Sequence, residues 1–427
     1  MPLFGTSGIR GVVGEDITLD LCREVGMSLG TMLSQGARVC LATDTRLSRD
    51  MLKDSIFTGL LSCGVDITDL GILPTPVLAL LTREWGFDAG IMVTASHNPP
   101  EFNGIKLFNG DSIGYSPDQE REVERLYREK AFLRGDGGVL RQGQGMLESY
   151  LRFIRHRLPA EGLNRNLKIV ADPGNGAASG FASKLFTELE LDVIPINDTP
   201  DGNFPGRKPE PMEETLRCTV EFLREMNADL AVCFDGDADR VVFCDKGGFW
   251  GFNEATAYIS RLVVQWSGNS RVASTVESGR LLDLALQDMG VEVVRGKVGD
   301  VHLAYLTRET GAAIGTEPVG VYVVPEVGYY PDSMFASLIL LSRIEQVAEV
   351  REFFRRIPQL LFDKRKVPCP NQLKEAVMGE IGERVGLLGP ARINDLDGIR
   401  LEFEDSWTLI RASGTEPVIR VIAESTS

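Results

Sequence analysis

The sequence lacks three features that define common classes of protein. Its seven cysteines are scattered, with no CxxC pair, and several lie in apolar runs where a buried thiol is the expected state. No apolar run approaches 18 residues, so no membrane span is predicted. The N-terminal residues show no charged segment followed by an apolar core, so no signal peptide is predicted. We therefore expect a soluble, cytoplasmic protein.

Basic residues are also in deficit, since 45 Lys and Arg stand against 61 Asp and Glu and the net charge is −16. An acidic surface repels polyanions, which argues against nucleic acid or an anionic membrane as the main partner. Taken alone, the same charge argues against a phosphorylated ligand. The proportions of hydrophobic residues, 43%, and of charged residues, 25%, are those of globular proteins. A chain of 427 residues is long enough for about three domains.

Short β-branched runs alternate with segments of helical period, which predicts βαβ units with mostly parallel sheets. The pattern recurs three times. An apolar strand enters a polar turn, a helix and a second strand follow, and a third strand ends in a distinctive loop, which indicates a weak internal triplication. Such loops at the carboxyl ends of strands are where α/β proteins bind ligands. Helix candidates in the first repeat include Leu19–Leu33 and Glu120–Leu133.

The C-terminal segment has a different pattern, a helix candidate followed by three strand-like runs, which is typical of a small α+β domain. Turn-rich stretches suggest where the domains meet. We therefore predict three related α/β domains with mixed, mostly parallel sheets at residues 1–145, 146–248 and 249–362, and a smaller α+β domain at residues 363–427.

The segment DGDADR, which starts at Asp235, carries the sharpest chemical signal. Asp235, Asp237 and Asp239 alternate with small residues directly after a β-run, so a tight turn would bring three carboxylates onto one hard cation. Arg240 adds a guanidinium that can bind a phosphate beside that cation. An EF-hand is excluded, because its sixth and twelfth positions need Gly and Glu and here hold Arg240 and Lys246. The segment therefore predicts a Mg²⁺ site, with a solvated acidic turn as the alternative.

The segment TASHNPP, which includes Ser96 and His97, follows another predicted strand. A serine at the end of a buried strand, inside a loop rich in Pro, Asn and Gly, is predicted to be exposed and rigidly held. That setting suits a nucleophile or a phosphorylated residue. The adjacent histidine does not by itself indicate a Ser-His dyad, and a tight turn capped by Ser and Asn is the alternative.

Two further loops combine small hydroxyl residues with an arginine. In RASGTEP, a backbone nest around Ser413, Gly414 and Thr415 could bind a phosphate together with Arg411. GTSGIRG, which includes Arg10, has the same chemistry. Taken singly, each segment is equally typical of a plain turn. A solvated surface charge is the simpler interpretation of three further cations near turns, Lys106, Lys297 and Arg207.

The chain resembles the α-D-phosphohexomutase family, which includes phosphoglucomutase, phosphomannomutase and phosphoglucosamine mutase. Seven motifs occur in the order and spacing of that family: GTSGIRG, TASHNPPEFNGIK, PDGNFPGRKPEP, FDGDADR, KVGD, GTEPVG and RASGTEP. The resemblance implies a heart-shaped enzyme of four domains that interconverts the 1-phosphate and 6-phosphate of glucosamine, mannose or glucose. It also implies a phosphoserine, one Mg²⁺ per chain, a hexose 1,6-bisphosphate as intermediate or activator, and a monomer or homodimer.

The resemblance implies roles for residues of six of these motifs. Ser96 matches the phosphorylated serine, which would share Mg²⁺ with the three aspartates of DGDADR. Lys106 matches a proposed general acid/base, and His97 lies in the same loop as the serine. Arg10 and Arg240 match arginines beside the transferring phosphoryl group. Substrate contacts are predicted for Glu317, Lys297, Arg411, Ser413, Gly414 and Thr415.

Some positions depart from the family pattern. Val319 stands where many members have a serine that binds the sugar, which bears on the identity of the sugar. Ala238 replaces the commoner glycine and is expected to leave the predicted turn of DGDADR intact. Asp300 is shared with the phosphoglucosamine-like branch, whereas Val301 stands where that branch often has arginine. Two alternatives are a phosphatase that uses the same serine and metal, and a non-catalytic sugar-phosphate binding protein.

Overall fold

The computed structural model describes residues 3–5, 7–159, 162–413 and 417–426. In these ranges the named strands form four sheets, one for each of four structural units. None of the helices in the described ranges is long and apolar enough to cross a membrane.

The first unit is a six-stranded sheet with helices. Its elements are β1 (Ile9–Val12), α1 (Leu19–Leu33), β2 (Arg38–Thr43), α2 (Arg49–Ser62), β3 (Asp66–Ile72), α3 (Thr75–Glu84), β4 (Ala89–Val93), β5 (Phe102–Asn109), α4 (Pro117–Glu129) and β6 (Leu140–Gln142). The strand order is β1-β5-β4-β2-β3-β6. β5 pairs antiparallel with both β4 and β1, and the other pairs are parallel.

The second unit is a five-stranded sheet in the same style. Its elements are α5 (Met146–Arg155), β7 (Lys168–Asp172), α6 (Ala182–Glu188), β8 (Asp192–Pro195), α7 (Arg217–Glu225), β9 (Leu230–Phe234), β10 (Val241–Asp245) and β11 (Gly248–Phe249). The strand order is β11-β10-β9-β7-β8.

The third unit is a four-stranded sheet in the order β13-β12-β14-β15. Its elements are α8 (Phe252–Ser267), β12 (Arg271–Thr275), α9 (Arg280–Leu286), β13 (Glu292–Gly296), α10 (Asp300–Thr310), β14 (Ile314–Glu317), β15 (Val321–Val323), α11 (Ser333–Arg343) and α12 (Val347–Arg356).

The three units repeat one strand arrangement, which confirms the predicted triplication. β2 lies between β3 and β4, β7 between β8 and β9, and β12 between β13 and β14, and all six pairs are parallel. β4, β9 and β14 then each pair antiparallel with the next strand in the chain. The loops that follow β4, β9 and β14 therefore begin at the same edge of each sheet, the edge where α/β proteins bind ligands.

The C-terminal unit is the predicted small α+β domain. Its elements are β16 (Leu361–Pro368), α13 (Lys374–Arg384), β17 (Arg392–Asn394), β18 (Ile399–Glu402), β19 (Ser406–Ala412) and β20 (Val418–Ser425). The sheet is antiparallel throughout, in the order β16-β20-β19-β18-β17.

The bounds of two predicted helices can be compared with the structure. The helix Leu19–Leu33 is confirmed as α1. The helix predicted from Glu120 to Leu133 instead spans Pro117–Glu129. Ser116 caps its N-terminus in a capping box, and Lys130 ends it in a left-handed conformation with φ 51°.

One apolar cluster runs through the first three units. It contains buried side chains such as Leu78 from the first, Phe234 from the second and Phe335 from the third. The C-terminal unit is attached by a much smaller cluster, in which Trp407 and its neighbours pack on Val276 of the third unit. The two attachments therefore differ in the apolar area that stabilises them.

Candidate active site

The loop after β4, residues 94–101 and here called the serine loop, buries Ser96 rather than exposing it. The residue has no accessible surface, and its Oγ donates a hydrogen bond to Oδ2 of Asp235 at 2.7 Å. Its backbone is left-handed, with φ 51°, and its amide donates to Oγ1 of Thr94 at 2.8 Å. The prediction of an exposed serine is wrong, because the loop after β9 packs against it.

The loop after β9, residues 235–240 and here called the metal loop, turns tightly and brings Asp235, Asp237 and Asp239 together. One oxygen of each carboxylate lies within 4.8 Å of the others, and all three residues are buried. Thr75 of the first unit holds this loop. Its Oγ1 donates to Oδ2 of Asp237 at 2.7 Å, and its amide donates to the carbonyl of the same residue at 2.9 Å. Ala238 makes the turn possible with a left-handed backbone, at φ 61°.

Gly236 lets the two loops touch through their backbones. A Cβ at this position would lie 2.4 Å from the carbonyl oxygen of Ser96, closer than real Cβ contacts. A larger residue would therefore push the loops apart, so the short distance between Ser96 and Asp235 depends on this glycine.

Lys106, on β5, lies between two of the carboxylates. Its Nζ donates to Oδ2 of Asp237 at 2.7 Å and to Oδ2 of Asp239 at 2.6 Å. The residue is buried, so the interpretation of Lys106 as a solvated surface charge is wrong. Burial acts to lower the pKa of the ammonium group, but the two carboxylates outweigh burial and raise it. Burial likewise opposes the charge of Asp237, yet Lys106 lowers the pKa of that carboxyl.

The acidic cluster fits a divalent cation such as Mg²⁺. Oδ1 of Asp237 and Oδ1 of Asp239 are buried and accept no hydrogen bond from the described residues. A buried carboxylate oxygen without a partner is costly. Burial and the neighbouring carboxylates also raise the pKa of Asp235 well above its usual value. Because Mg²⁺ prefers oxygen ligands, the three aspartates and Ser96 are a donor set that suits this ion.

Arg10 and Arg240 lie beside the serine loop. Nη1 of Arg10 donates to Oδ1 of Asn98 at 3.4 Å, and the amide of Arg240 donates to Oδ1 of Asp235 at 3.2 Å. The Nε atoms of both arginines are buried and make no hydrogen bond with the described residues. The charge of Arg240, together with burial, lowers the pKa of His97 to about 2, so the imidazole is neutral. Two guanidinium groups beside a neutral imidazole suit a phosphate.

The third unit contributes Glu317 at the end of β14. Its Oε1 accepts a hydrogen bond from the amide of Gly299 at 2.8 Å, and burial raises its pKa to about 7. The loop that follows is joined to the second unit, where the amide of Val241 donates to the carbonyl of Gly320 at 2.9 Å. Val319 packs against the apolar core of the third unit, so it brings no polar group to this loop.

The predicted phosphate loop of the C-terminal unit lies partly outside the described residues, since Gly414 and Thr415 are not among them. Arg411, on β19, is paired with two carboxylates. Its Nε lies 3.0 Å from Oδ1 of Asp397, and its Nη1 donates to Oε1 of Glu277 at 3.4 Å. The guanidinium is thus held at the contact between the third and C-terminal units.

Ser413 and Lys297 are the remaining predicted substrate contacts. Ser413 is buried, and its amide donates to the carbonyl of Val418 at 3.0 Å. Lys297 is exposed just after β13. Among the described residues, no hydrogen bond or ion pair connects Arg411 with Ser96 or with the aspartates. The structure therefore brings the serine and metal loops together and holds Arg411 in a separate group.

The sequence did not reveal the roles of two buried arginines, of which Arg46 was not singled out and Arg207 was interpreted as a surface charge. Arg46 has no accessible surface and donates to the carbonyls of Ser96 and Asn98 at 2.9 and 2.6 Å. Arg207 is not a surface charge, because it is buried and donates to the carbonyl of Phe234, just before the metal loop, at 2.6 Å. The signal in the sequence that could have indicated these arginines is a polar turn that contains an aspartate. Asp44 lies in this turn after β2, and Asp172 lies in the corresponding turn at the end of β7.

Four sequence models of one protein family match successive parts of the chain. All four are described as phosphoglucomutase/phosphomannomutase: alpha/beta/alpha domain I for residues 1–134, domain II for 148–248, domain III for 253–359 and the C-terminal domain for 366–427. Together these matches cover most of the chain, and they confirm the resemblance carried by the seven motifs.

Similar proteins agree with this match. "Probable phosphoglucosamine mutase" from Pyrococcus abyssi is 39% identical over 427 residues, which are 99% of this chain and 93% of the relative. "Phosphoglucomutase/phosphomannomutase" from Thermococcus kodakarensis is 36% identical, over 100% of this chain and 95% of the relative. The X-ray structure of a phosphoglucomutase/phosphomannomutase family protein from Burkholderia thailandensis covers 100% of this chain and 93% of its own, with a TM-score of 0.87 and 28% identity. The chain therefore belongs to the phosphoglucomutase/phosphomannomutase family, a family of phosphotransferase isomerases.

Proposed function

We propose that this enzyme interconverts the 1-phosphate and 6-phosphate of a hexose through a phosphoserine at Ser96 and a bisphosphorylated sugar, with glucosamine phosphate as the preferred substrate. The observation that carries the proposal is the hydroxyl of Ser96, which lies 2.7 Å from Asp235 in a buried cluster of three carboxylates. The choice of sugar is supported by relatives named phosphoglucosamine mutase, which are 36% to 39% identical over nearly the whole chain.

Phosphoryl transfer requires alignment and neutralisation of charge more than covalent help. A phosphorylated Ser96 would carry a charge of about −1.5 to −2. Mg²⁺, held by the three aspartates and the phosphoserine, would supply positive charge that offsets the charge of the transferring group. Arg10 and Arg240 would offset charge on its other oxygens. The phosphoryl group leaves Oγ of Ser96 for a sugar hydroxyl, whose proton must be taken up as the new bond forms.

Lys106 suits the acid rather than the base in this step. Its ion pairs with Asp237 and Asp239 keep the amine protonated at neutral pH. A protonated amine can stabilise the serine oxygen as it leaves and can supply its proton. The neutral imidazole of His97 has its Nδ1 3.3 Å from Oγ of Ser96 and can take up the proton of the sugar hydroxyl.

The third and C-terminal units would hold the rest of the substrate. Glu317 uses one oxygen for the amide of Gly299 and has the other for a sugar hydroxyl. Arg411 and Ser413, with Lys297 nearby, would hold the phosphate that is not being transferred. Such a site does not distinguish between the two phosphates of the bisphosphorylated sugar, so the sugar can bind in either orientation. Both orientations are required if the second phosphate is to return to Ser96.

A comparison of kcat/KM for glucosamine, mannose and glucose phosphates tests the proposal. Each assay contains Mg²⁺ and the matching hexose 1,6-bisphosphate, and both the isomerised product and free phosphate are measured. We expect isomerised product with little free phosphate, and the highest kcat/KM for glucosamine phosphate. Dominant release of phosphate would instead indicate a phosphatase. If mass spectrometry finds no phosphate on Ser96 after treatment with bisphosphate, the protein is a sugar-phosphate binder.

A further inference from the structure

A buried arginine fixes the serine loop of the first unit. Arg46 follows β2, has no accessible surface, and its Nε donates to Oδ2 of Asp44 at 3.0 Å. Its other two nitrogens donate to four backbone carbonyls, those of Ser96, Asn98, Pro99 and Phe102. One guanidinium thus holds the backbone from the serine to the start of β5.

The second unit has an arginine in the equivalent place, supplied by another part of the chain. Nε of Arg207 donates to Oδ2 of Asp172 at 3.0 Å, and its Nη2 donates to the carbonyl of Phe234, the last residue of β9, at 2.6 Å. Counted from the aspartate, Gly174 stands where Arg46 stands in the first unit. A Cβ on Gly174 would lie 2.6 Å from the guanidinium carbon of Arg207. The glycine therefore leaves the space that the arginine fills.

Residues 199–211, here called the strap, connect the two arginines. The strap carries Arg207 into the second unit, and the ring of its Phe204 lies over the guanidinium of Arg46, with 5.4 Å between the guanidinium carbon and the ring centroid. Phe204 is buried and has a left-handed backbone, with φ 52°. Such a backbone is unfavourable for a bulky residue, so the surrounding contacts must hold it.

Asn175, in the turn after β7, provides a second connection. Its carbonyl accepts hydrogen bonds from Oγ1 of Thr45 in the first unit, at 2.8 Å, and from the amide of Asp201 in the strap, at 3.1 Å. Its Oδ1 accepts from the amide of Gly206, also in the strap, at 2.9 Å. The first unit, the second unit and the strap are therefore hydrogen-bonded at one residue.

We propose that Arg46 and Arg207 are positioning residues that hold the serine loop and the metal loop at the separation required for phosphoryl transfer. This inference rests on the proposed function, because it concerns the same transfer. The carbonyl of Ser96 is the common point, since it accepts a hydrogen bond from Arg46 and lies against Gly236 of the metal loop. A shift of about 1 Å between reacting groups can cost about 100-fold in rate.

Lysine cannot take over this task. A guanidinium presents five donors in a rigid plane, whereas an ammonium group has three donors on a flexible stem. A lysine in place of Arg46 would keep a charge beside Asp44 but would leave carbonyls of the serine loop without donors. The loop would then be free to shift relative to the metal loop.

The test compares Arg46→Lys and Arg207→Lys with Arg400→Lys as the matched control. Arg400 is also buried, and it donates to the carbonyls of Val276 and Ser278 in the equivalent turn of the third unit, away from both loops. All three variants lose a buried guanidinium and should unfold at a lower temperature. For the first two we expect kcat at saturating substrate and Mg²⁺ to fall about 30- to 100-fold, with KM for the hexose phosphate within about threefold. The control should keep kcat within about twofold of the parent.

Several results would overturn the inference. Equal losses of kcat in all three variants would mean that the arginines only stabilise the fold, and an unchanged kcat in both test variants would mean that the loops do not need them. If Arg46→Lys does not fold, Phe204→Leu removes only the ring over the guanidinium and should lower kcat about tenfold. An unchanged kcat there would also refute the idea. A parent enzyme without mutase activity would refute the proposed function and this inference together, whereas an active parent with fully active variants would refute this inference alone.

Discussion

The residues proposed for phosphoryl transfer and those proposed for phosphate binding lie in two regions that are built differently. At the seam, where the first and second units meet, Ser96 and Asp235 are fully buried and the loops touch through their backbones at Gly236. At the junction, where the third and C-terminal units meet, Arg411 is held by charge, through an ion pair with Glu277 of the third unit. The seam fixes its loops by close backbone contact as well as by the ion pairs of Lys106, whereas the junction holds Arg411 by charge.

The packing around the two regions differs in the same way. One apolar cluster runs through the first three units, while the C-terminal unit has a small apolar patch supplemented by hydrogen bonds. In that patch Oε1 of Glu424 accepts from Nε1 of Trp407 at 2.8 Å and from the amide of Arg280 at 2.7 Å. Transfer needs a fixed distance, but holding a phosphate needs charge and little more. We therefore expect changes at the seam to act on kcat and changes at the junction to act on KM.

Removal of the proposed nucleophile should have the largest effect at the seam. Ser96→Ala deletes the oxygen proposed to carry the phosphoryl group, so kcat should fall by at least about 10⁴-fold. Loss of the hydrogen bond to Asp235 should lower the free energy of unfolding by about 1 kcal/mol, which chemical denaturation measures. Affinity for Mg²⁺, measured by calorimetry, should be weaker but still detectable because one donor oxygen is lost.

Ser112→Ala is the matched control for this change. Ser112 is also a buried serine of the first unit with a left-handed backbone, at φ 73°. It should retain the kcat of the parent. Near-normal mutase rates in Ser96→Ala would refute the phosphoserine mechanism.

Lys106→Met should have the next largest effect, also at the seam. Methionine keeps the length of the side chain but leaves Asp237 and Asp239 without their cation. Removing one partner of a buried ion pair costs about 3–5 kcal/mol, so the variant should be less stable by that amount without Mg²⁺. Mg²⁺ should then raise its melting temperature more than that of the parent, because a more negative cluster attracts the ion more strongly. Thermal unfolding with and without Mg²⁺ measures both effects.

Lys53→Met provides the comparison for Lys106→Met. Nζ of Lys53 lies 2.9 Å from Oδ2 of Asp69, in the first unit but outside the metal loop. This variant should be destabilised without any change in the effect of Mg²⁺. If Mg²⁺ raises the melting temperature of the parent and of Lys106→Met equally, the lysine does not influence binding of the metal.

Arg411→Ala tests the junction. Hydrogen bonds to charged groups contribute about 1.5–3 kcal/mol, so KM for the hexose phosphate should rise about 10- to 100-fold while kcat stays within about threefold. Arg392→Ala, at an exposed position on β17 of the same sheet, is the control and should change neither constant. Steady-state kinetics measure both. A fall in kcat at unchanged KM would contradict the expectation that changes at the junction act on KM and changes at the seam act on kcat.

The sequence predicted the chemistry of the loops better than their surroundings. The alternation in DGDADR required a tight turn, and the structure has one, with the three carboxylates together. Burial of Ser96 depends on a contact with Asp235, 139 residues further along the chain, so no local pattern contains it. Arg46 stood in a recognised polar turn, but the turn alone does not reveal whether the guanidinium faces water or the carbonyls of another loop. The position of Arg207 depends on where the strap crosses the second unit, which only the tertiary fold decides.

Ala238→Gly should have the smallest effect, although the residue lies in the metal loop. Ala238 is buried at φ 61°, a left-handed conformation that costs about 1–2 kcal/mol for an L-residue. Glycine removes this strain but loses a buried methyl group, worth about 0.8 kcal/mol, and gives the unfolded chain more freedom, worth about 0.4–1 kcal/mol. These contributions nearly cancel, so denaturation should show a change below about 1 kcal/mol, with kcat within about twofold. Gly236→Ala, two residues away, would place a Cβ 2.4 Å from the carbonyl of Ser96 and should lower kcat at least about tenfold. Equal losses in the two variants would mean that the seam depends on the flexibility of the loop rather than on its contact with Ser96.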